Sequence, residues 1–263
     1  MFRKAYVLGY NRNNMQPKPT EHIDPQCIPR DIMLQAAMIR LGEIDQQIQA
    51  GYNIIRKYHK TITIFGSARM SPDDPYYVQA REVSRRLAEQ GYAIISGGGF
   101  GIMSAANQGA DEAAQKGARD AGGASIGFNI KLPHEQTLNS YATESYEFSH
   151  FAPRKIVMTL FADAYIYFPG GFGTLDELSE ILTLVQTGKT NKAPIILVGT
   201  EFWSHFDQLI KKQLLTAGYV KPEDIELYTI TDDLDEVIEI IQKNRLYCEH
   251  GSVPLDRTPS ILE

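Results

Sequence analysis

The chain has 263 residues, with 26 Lys+Arg against 32 Asp+Glu, a formal net charge of −6 and only 2 Cys. Its hydrophobic class of 43% is ordinary for a globular protein and excludes disorder throughout. The acidic balance excludes a general basic surface for nucleic acid, and two distant cysteines exclude a disulfide framework.

The sequence shows neither a membrane span nor a secretory signal. No apolar run reaches the ~18 residues that a bilayer requires. The N-terminus has no apolar segment of the signal-peptide type. These observations predict a cytoplasmic protein that has no membrane partner.

Residues 1–58 are predicted to be an N-terminal extension in two parts. Residues 1–30 contain four of the 13 prolines and are expected to form an extended arm. Residues 31–58 have the apolar spacing of an amphipathic helix, with breaks expected near Gly42 or Gly51. The helix either docks on the core or mediates dimerisation, and the pattern leaves both open. Its apolar stripe consists of Met33, Ala36, Ala37, Ile44, Ile48, Tyr52 and Ile55.

From residue 61 the chain alternates between short apolar runs and longer helical patterns. The predicted strands are 61–65, 92–96, 124–130, 164–168, 194–198 and 225–230. The predicted helices are 75–90, 102–116, 152–161, 174–187, 202–217 and 234–243. Strands of continuous apolar character are buried on both faces, so their alternation with helices predicts an α/β fold with a doubly wound parallel sheet. The predicted core domain spans residues 59–245, and residues 246–263 form a tail.

Glycine clusters follow three of the predicted strands, at Gly66-Ser67, at Gly97 to Gly101 and at Pro169 to Thr174. Ligands of doubly wound folds bind at the carboxyl ends of the strands. A glycine-rich turn that leads into a helix binds phosphate through unpaired N–H groups and the positive helix end. The spacing of the glycines in these clusters matches neither the P-loop nor the dinucleotide-binding fingerprint. Three such turns therefore predict an anion site of another class.

Thr174 and Glu177 have the S/T-x-x-E spacing of a capping box, in which the Glu closes on the amide of the first residue. A phosphate at this helix end would compete for the same N–H groups. The spacing thus leaves a structural and a ligand-binding role open.

Arg154 and Lys155 follow Pro153 at a predicted helix start, where the helix dipole disfavours cations. They are tolerated there if they face a carboxylate or a phosphate. The alternative is a pair of solvated cations whose stems extend away from the helix end.

Together these motifs resemble the LONELY GUY (LOG) family of phosphoribohydrolases. Pro169 to Glu177 matches the family's PGGxGTxxE signature, and Arg154-Lys155 matches its RK pair. The resemblance covers roughly residues 61–200. It implies a Rossmann-like fold and a homodimer or higher homo-oligomer. It also implies hydrolysis of a nucleoside 5′-monophosphate, such as AMP or a cytokinin riboside monophosphate, to free base and ribose 5-phosphate.

The resemblance also implies roles for individual residues. The catalytic pair would be Arg154 and Glu177, with no metal and no cofactor. The implied substrate contacts are Gly66, Ser67, Gly98, Gly99, Glu135, Lys155, Gly170, Gly171, Gly173, Thr174 and Thr183. Relatives carry the legacy label "lysine decarboxylase", but that reaction needs pyridoxal phosphate on a Schiff-base lysine. The alternative function is a non-catalytic nucleotide-binding protein of the same fold.

Overall fold

The computed structural model describes residues 28–116, 123–132 and 137–244. The chain forms two compact units, and the boundary between them lies at Glu43/Ile44. The predicted arm up to residue 27 and the predicted tail 246–263 lie outside the described residues. The division into residues 1–58, 59–245 and 246–263 remains a prediction.

The described residues form seven strands and seven α-helices, which follow the predicted alternation except for one additional strand. The strands are β1 (Thr61–Phe65), β2 (Ala93–Ser96), β3 (Ala124–Ile130), β4 (Glu144–Phe148), β5 (Ala164–Tyr167), β6 (Ile195–Val198) and β7 (Thr229–Thr231). The helices are α1 (Arg30–Ile55), α2 (Pro75–Glu89), α3 (Ile102–Gln115), α4 (Phe151–Thr159), α5 (Phe172–Gln186), α6 (Thr200–Leu209) and α7 (Leu234–Lys243).

The strands form one sheet in the order β4-β3-β2-β1-β5-β6-β7, and every neighbouring pair is parallel. This confirms the predicted Rossmann-like, doubly wound α/β fold. The chain adds β2 to β4 on one side of β1, then crosses over to place β5 on the other side. Ligands of such sheets bind where the strand order reverses. The topology therefore locates the crevice beyond the carboxyl ends of β1 and β5.

Apolar clusters cover both faces of the sheet. One face packs against α2, α3 and α7, and it buries Ile62 and Ile64 of β1. The other face packs against the second half of α1 and against α4, α5 and α6, and it buries Phe65 and Trp203. Because each face has its own helical layer, the central strands are buried along their whole length, as their continuous apolar sequences predict.

Helix α1 runs unbroken from Arg30 to Ile55, so the break predicted near Gly42 or Gly51 is wrong. In the second unit, Tyr52 and Ile55 pack against the core. A Cβ atom on Gly51 would lie 2.6 Å from Cγ1 of Val157, so this helix passes very close to α4. The part of the helix from residue 44 onward is therefore docked on the core.

Two strands of the structure differ from the prediction. Strand β4 was not predicted, because its Glu-Ser-Tyr-Glu-Phe sequence lacks a continuous apolar run. It lies at the edge of the sheet, where alternate side chains remain partly exposed. The predicted strand 225–230 is wrong at its start, since a 3-10 helix occupies Pro222–Glu226 and β7 begins at Thr229.

One helix begins where the sequence predicts, and another ends earlier than predicted. Helix α2 begins after Asp74, whose side chain accepts from the amide of Tyr76, with Pro75 as the first helical residue. The predicted start of this helix at residue 75 is therefore confirmed. The predicted helix 202–217 ends as α-helix at Leu209 and continues as a π-helical segment, Ile210–Leu215.

Candidate functional site

The first and third glycine turns meet at the point where the strand order reverses. The amide of Ser67, just after β1, donates to the carbonyl oxygen of Pro169, just after β5, at 3.0 Å. The amide of Ile102, the first residue of α3, donates to the Ser67 carbonyl at 3.0 Å. Two short bonds therefore join three loops that are far apart in sequence.

A cleft of about 570 Å³ opens between these loops and the start of α4. This volume lies within the range of ordinary small-molecule sites. Its walls combine backbone-rich turns, an arginine–glutamate pair and several apolar side chains. The lining residues are Gly66, Ser67, Ala68, Arg69, Met103, Ile130, Leu132, Phe151, Arg154, Gly171, Phe172, Gly173, Thr174, Leu175 and Glu177.

The N-terminus of α5 lacks a side-chain cap. The residue that precedes the helix is Gly171, and Thr174 is already the third helical residue. Of the two roles left open for Thr174 and Glu177, the capping box is therefore wrong, since Thr174 does not occupy the capping position. The first amides of an α-helix have no partner inside the helix. They line the cleft with the positive end of the helix dipole.

Arg154 extends from the first turns of α4 into the buried side of the cleft. Its Nε donates to the carbonyl oxygen of Phe128 on β3 at 2.8 Å, and its Nη1 lies 3.6 Å from Oε1 of Glu177. Burial lowers the pKa of Arg154, and the Glu177 carboxylate opposes that shift. The cation thus faces a carboxylate, and the interpretation of Arg154 as a solvated cation is wrong.

Glu177 lies one turn beyond Thr174 on the same side of α5, so both side chains reach the cleft. Its side chain is 15% exposed. Burial raises the pKa of Glu177 to about 7, although Arg154 acts in the opposite direction. The hydroxyl of the buried Tyr167 donates to the Glu177 backbone oxygen at 3.1 Å, which ties this turn of the helix to β5.

Two glycines of the second turn permit close approaches that a side chain would block. A Cβ atom on Gly97 would overlap Nη2 of Arg154, so the guanidinium packs directly on the backbone there. Gly101 has φ of 61°, and a Cβ atom on it would overlap the Ser67 carbonyl oxygen. The second turn therefore shapes the wall behind Arg154.

Gly98 and Gly99, also in the second turn, do not line the cleft within the described residues. The Gly98 amide donates to Oγ of Ser96 at 3.0 Å, and the Gly98 and Gly99 carbonyls accept from the backbone and side-chain nitrogens of Asn139. These bonds give the two glycines a structural role in holding the turn.

Other predicted contacts lie away from the cleft in this chain. Lys155 points to α5, where its Nζ pairs with Asp176 at 3.0 Å and with Glu180 at 3.1 Å. Thr183 donates to the carbonyl oxygen of Ser179 within α5. Neither Lys155, Thr183 nor Gly170 is among the described residues that line the cleft. Glu135 lies outside the described residues.

Among the cleft residues that sequence reasoning missed, three have exposed side chains. Arg69 is an exposed arginine two residues after Ser67, and its guanidinium forms no ion pair within the described residues. Phe151 and Phe172, at the first positions of α4 and α5, are exposed aromatics, and Phe172 is 92% exposed. The position of the two phenylalanines in the sequence could have identified them, because each begins a helix at the carboxyl edge of the sheet.

Within residues 28–116, 123–132 and 137–244, no group of three His, Cys, Asp or Glu side chains is arranged to hold a metal ion. Across the same ranges, no helix is both long and apolar enough to cross a membrane.

Comparison with known proteins gives two kinds of match. A family model described as possible lysine decarboxylase matches residues 112–241. A cytokinin riboside 5′-monophosphate phosphoribohydrolase of Mycobacterium marinum is 31% identical over 183 residues, which are 68% of this chain and 91% of that protein.

Solved structures of similar fold include two with a TM-score of 0.50. The structural genomics target TM1055 is 25% identical, and the match covers 70% of this chain and 99% of that one. A molybdenum cofactor binding protein of the phototrophic bacterium Rippkaea orientalis is 22% identical, with 70% and 96% covered. The second match supports the fold alone.

Proposed function

This chain belongs to the LONELY GUY (LOG) family of phosphoribohydrolases, and we propose that it hydrolyses the N-glycosidic bond of a purine nucleoside 5′-monophosphate such as AMP. The products would be the free base and ribose 5-phosphate. The observation that carries the proposal is the buried Arg154–Glu177 pair on the wall of a cleft beside an uncapped helix start. A cytokinin riboside monophosphate, the substrate in the mycobacterial relative's name, would fit the same chemistry.

The 5′-phosphate would bind at the N-terminus of α5. The amides of Gly171, Phe172 and Gly173 belong to the uncapped turn, and neither glycine carries a side chain that would block an anion. Arg69 adds a cation at the same cleft. Binding energy from the phosphate positions the reacting bond, so the corresponding nucleoside should react poorly.

Glu177 would act on the sugar. Cleavage of a ribosyl–base bond develops positive charge on the ribose, as in glycoside hydrolysis. A carboxylate beside the anomeric carbon stabilises that charge or activates the attacking water. Because the pKa of Glu177 is about 7, the carboxylate is ionised in a large fraction of the molecules at neutral pH.

Arg154 would act by electrostatics, because a guanidinium stays protonated and is a poor proton donor. Its Nε bond to the Phe128 carbonyl fixes the plane of the group, and its Nη1 faces Glu177. In this position a fixed cation orients the carboxylate and stabilises negative charge on the departing base or on the phosphate.

The alternative activity named by the family model, lysine decarboxylation, finds no support at this cleft. Lys155 is the lysine that neighbours Arg154 in α4. Its ammonium pairs with Asp176 and Glu180 on the surface of α5 rather than facing the cleft. A Schiff-base lysine would have to present its amine to the substrate.

The test is a panel of nucleoside 5′-monophosphates, with the free base and ribose 5-phosphate measured separately. Glu177→Gln is expected to lower kcat/KM by about 10²–10⁴-fold, since it removes the carboxylate and keeps the shape. Glu201→Gln, the same change near the start of α6 and outside the cleft, is the matched control and should behave as wild type.

Two results would contradict the proposal. Hydrolysis that survives in Glu177→Gln would remove Glu177 from the chemistry. A wild-type protein that binds AMP but releases no base from any member of the panel would be a non-catalytic nucleotide-binding protein. The predicted cytoplasmic location, homo-oligomeric state and absence of a nucleic-acid partner remain predictions.

A further inference from the structure

The docked half of α1 carries a buried polar side chain on the face that packs against the core. The buried residues of α1 are Gln47, Gly51 and Ile55, which lie four positions apart and therefore share one side of the helix. Gln47 is only 7% exposed, although its amide group both donates and accepts hydrogen bonds. A buried polar group needs partners, so the contacts of Gln47 show what this position does.

Both ends of the Gln47 side chain contact the two-residue connection between β4 and α4. Its Oε1 accepts from the backbone amide of Ser149 at 2.9 Å. Its Nε2 lies 3.4 Å from Nδ1 of His150. Because a backbone amide can only donate, it fixes Oε1 on the Ser149 side, so Nε2 donates to Nδ1 of His150. The side chain of Gln47 therefore bridges the last two residues before α4.

Gly51 contacts α4 itself, one turn further along α1. A Cβ atom on Gly51 would lie 2.6 Å from Cγ1 and 2.7 Å from Cγ2 of Val157, so the backbone of α1 packs directly on the second turn of α4. Arg154 lies between the two contacts, four residues after His150 and three residues before Val157. Helix α1 thus holds α4 on both sides of the arginine.

The start of α4 has no side-chain cap of its own, since His150 at the capping position makes no such bond. Its entry is fixed instead by Gln47. A shift of α4 would move the Arg154 guanidinium, and small misplacements of reacting groups lower the rate strongly. We propose that Gln47 is a positioning residue, which together with Gly51 holds α4 so that Arg154 faces the cleft. This role rests on the proposed hydrolysis.

The first experiment measures the kinetics of AMP hydrolysis. Gln47→Met keeps the length of the side chain and removes both hydrogen bonds, so kcat is expected to fall about tenfold. KM should change little, because the proposed phosphate site lies at the start of α5 and not on α4. Gln47→Glu, which keeps an acceptor for the Ser149 amide, should recover most of the wild-type kcat. Gln46→Met, the same change at the preceding exposed residue, is the matched control.

The pH profile separates positioning from a loss of stability. Arg154 lowers the pKa of Glu177 against the effect of burial. If Gln47→Met displaces the guanidinium, the midpoint of kcat/KM should rise above the wild-type value of about 7. A variant that is only less stable would keep the wild-type midpoint. The other charged groups that act on this carboxylate stay unchanged in the variant, and they are Asp176, Lys155 and Glu180.

The second contact gives an independent test with its own rescue. Gly51→Ala is expected to push α4 away through the overlap with Val157 and to lower kcat as Gln47→Met does. Combining it with Val157→Ala removes the overlapping methyl groups and should restore part of the lost kcat. Only a direct contact between the two positions predicts this rescue.

Crystal structures of Gln47→Met and Gln46→Met would measure the arginine without any turnover. The distance from Nη1 of Arg154 to Oε1 of Glu177, 3.6 Å here, is expected to lengthen in Gln47→Met alone. A wild-type protein that hydrolyses no nucleotide would contradict the proposed function, and this distance would still decide the role of Gln47. An unchanged distance, or a wild-type kcat and pH midpoint in Gln47→Met, would overturn the positioning role. If Gln47→Met does not fold, the same measurements on Gly51→Ala decide.

Discussion

At the scale of single residues, Glu177 shows how two effects compete on one carboxylate. Burial disfavours its charged form, and the Arg154 cation favours it. Burial is the larger effect, so the pKa of Glu177 rises to about 7 although a cation lies 3.6 Å away. The distance is long for a salt bridge with good geometry, which explains why the Coulomb attraction does not dominate.

This pKa predicts a pH dependence of catalysis. If Glu177 acts as a carboxylate, its protonation below about 7 removes the active form. The value of kcat/KM for AMP should therefore fall about tenfold for each pH unit below 7 and level off above it. Steady-state kinetics across this range would measure the midpoint. A flat profile, in a protein that stays folded, would contradict an ionised Glu177 as the active form.

At the scale of elements, the start of α5 decides between the two roles that the sequence left open for Thr174 and Glu177. The helix begins two residues earlier than predicted, at Phe172. Glycine at the preceding position provides no side-chain cap, so the first amides have no partner from a capping side chain. A helix end that keeps its amides available suits an anionic ligand.

The turn between β2 and α3 contributes to the site through its contact with Arg154 of α4. Because Gly97 has no side chain, the guanidinium of Arg154 packs directly against its backbone. Gly97→Ala is expected to displace that group and to lower kcat by about 10²-fold, since small misplacements of catalytic groups are costly. It should also destabilise the fold by about 1–3 kcal/mol through overpacking.

Steady-state kinetics and thermal unfolding of Gly97→Ala would separate these effects. The control is Gly42→Ala in α1, where an added Cβ atom meets no atom within 4 Å. The control should not destabilise the helix, because alanine is favoured over glycine inside a helix. Its turnover should therefore equal that of the wild type. A Gly97→Ala protein that is folded at the assay temperature and has wild-type kcat would show that the contact has no role in positioning Arg154.

At the scale of the whole molecule, the site exists only because of the strand order. Residues near 67, 101, 154 and 171 come from four separate connections, and the reversal between β1 and β5 gathers them at one edge. The layers on both faces of the sheet hold these connections in place. A ligand at this edge contacts several elements at once and should stabilise the entire second unit.

Ligand binding is therefore expected to raise the thermal stability of the protein. With Glu177→Gln, in which turnover is expected to be slow, AMP at 100 times its Kd should add about 2.7 kcal/mol to the free energy of unfolding. Each kcal/mol corresponds to a rise in Tm of about 2–4 °C. Adenosine at the same concentration should give a smaller shift, because it lacks the phosphate. Equal shifts from AMP and adenosine would contradict the phosphate site at α5.

The local sequence determined the elements and the chemistry of the motifs. Continuous apolar runs identified the buried strands, and glycine clusters after them identified the ligand edge, because both signals depend on neighbours along the chain. Strand β4 escaped prediction, since an edge strand is held by backbone pairing with its neighbour and keeps partly exposed side chains, so its sequence has no continuous apolar run. The Arg154 and Glu177 motifs were found from sequence, and their roles remain predictions.

Only the tertiary structure decided which residues share the cleft. It paired Arg154 with Glu177, directed Lys155 to Asp176 and Glu180, and added Arg69. It also showed that the first half of α1 is exposed and that the second half is docked on the core, although one helical pattern covers both. The physical reason is that burial, close approach and the distance between charges depend on elements far apart in the chain, and periodicity along the sequence contains no information about them.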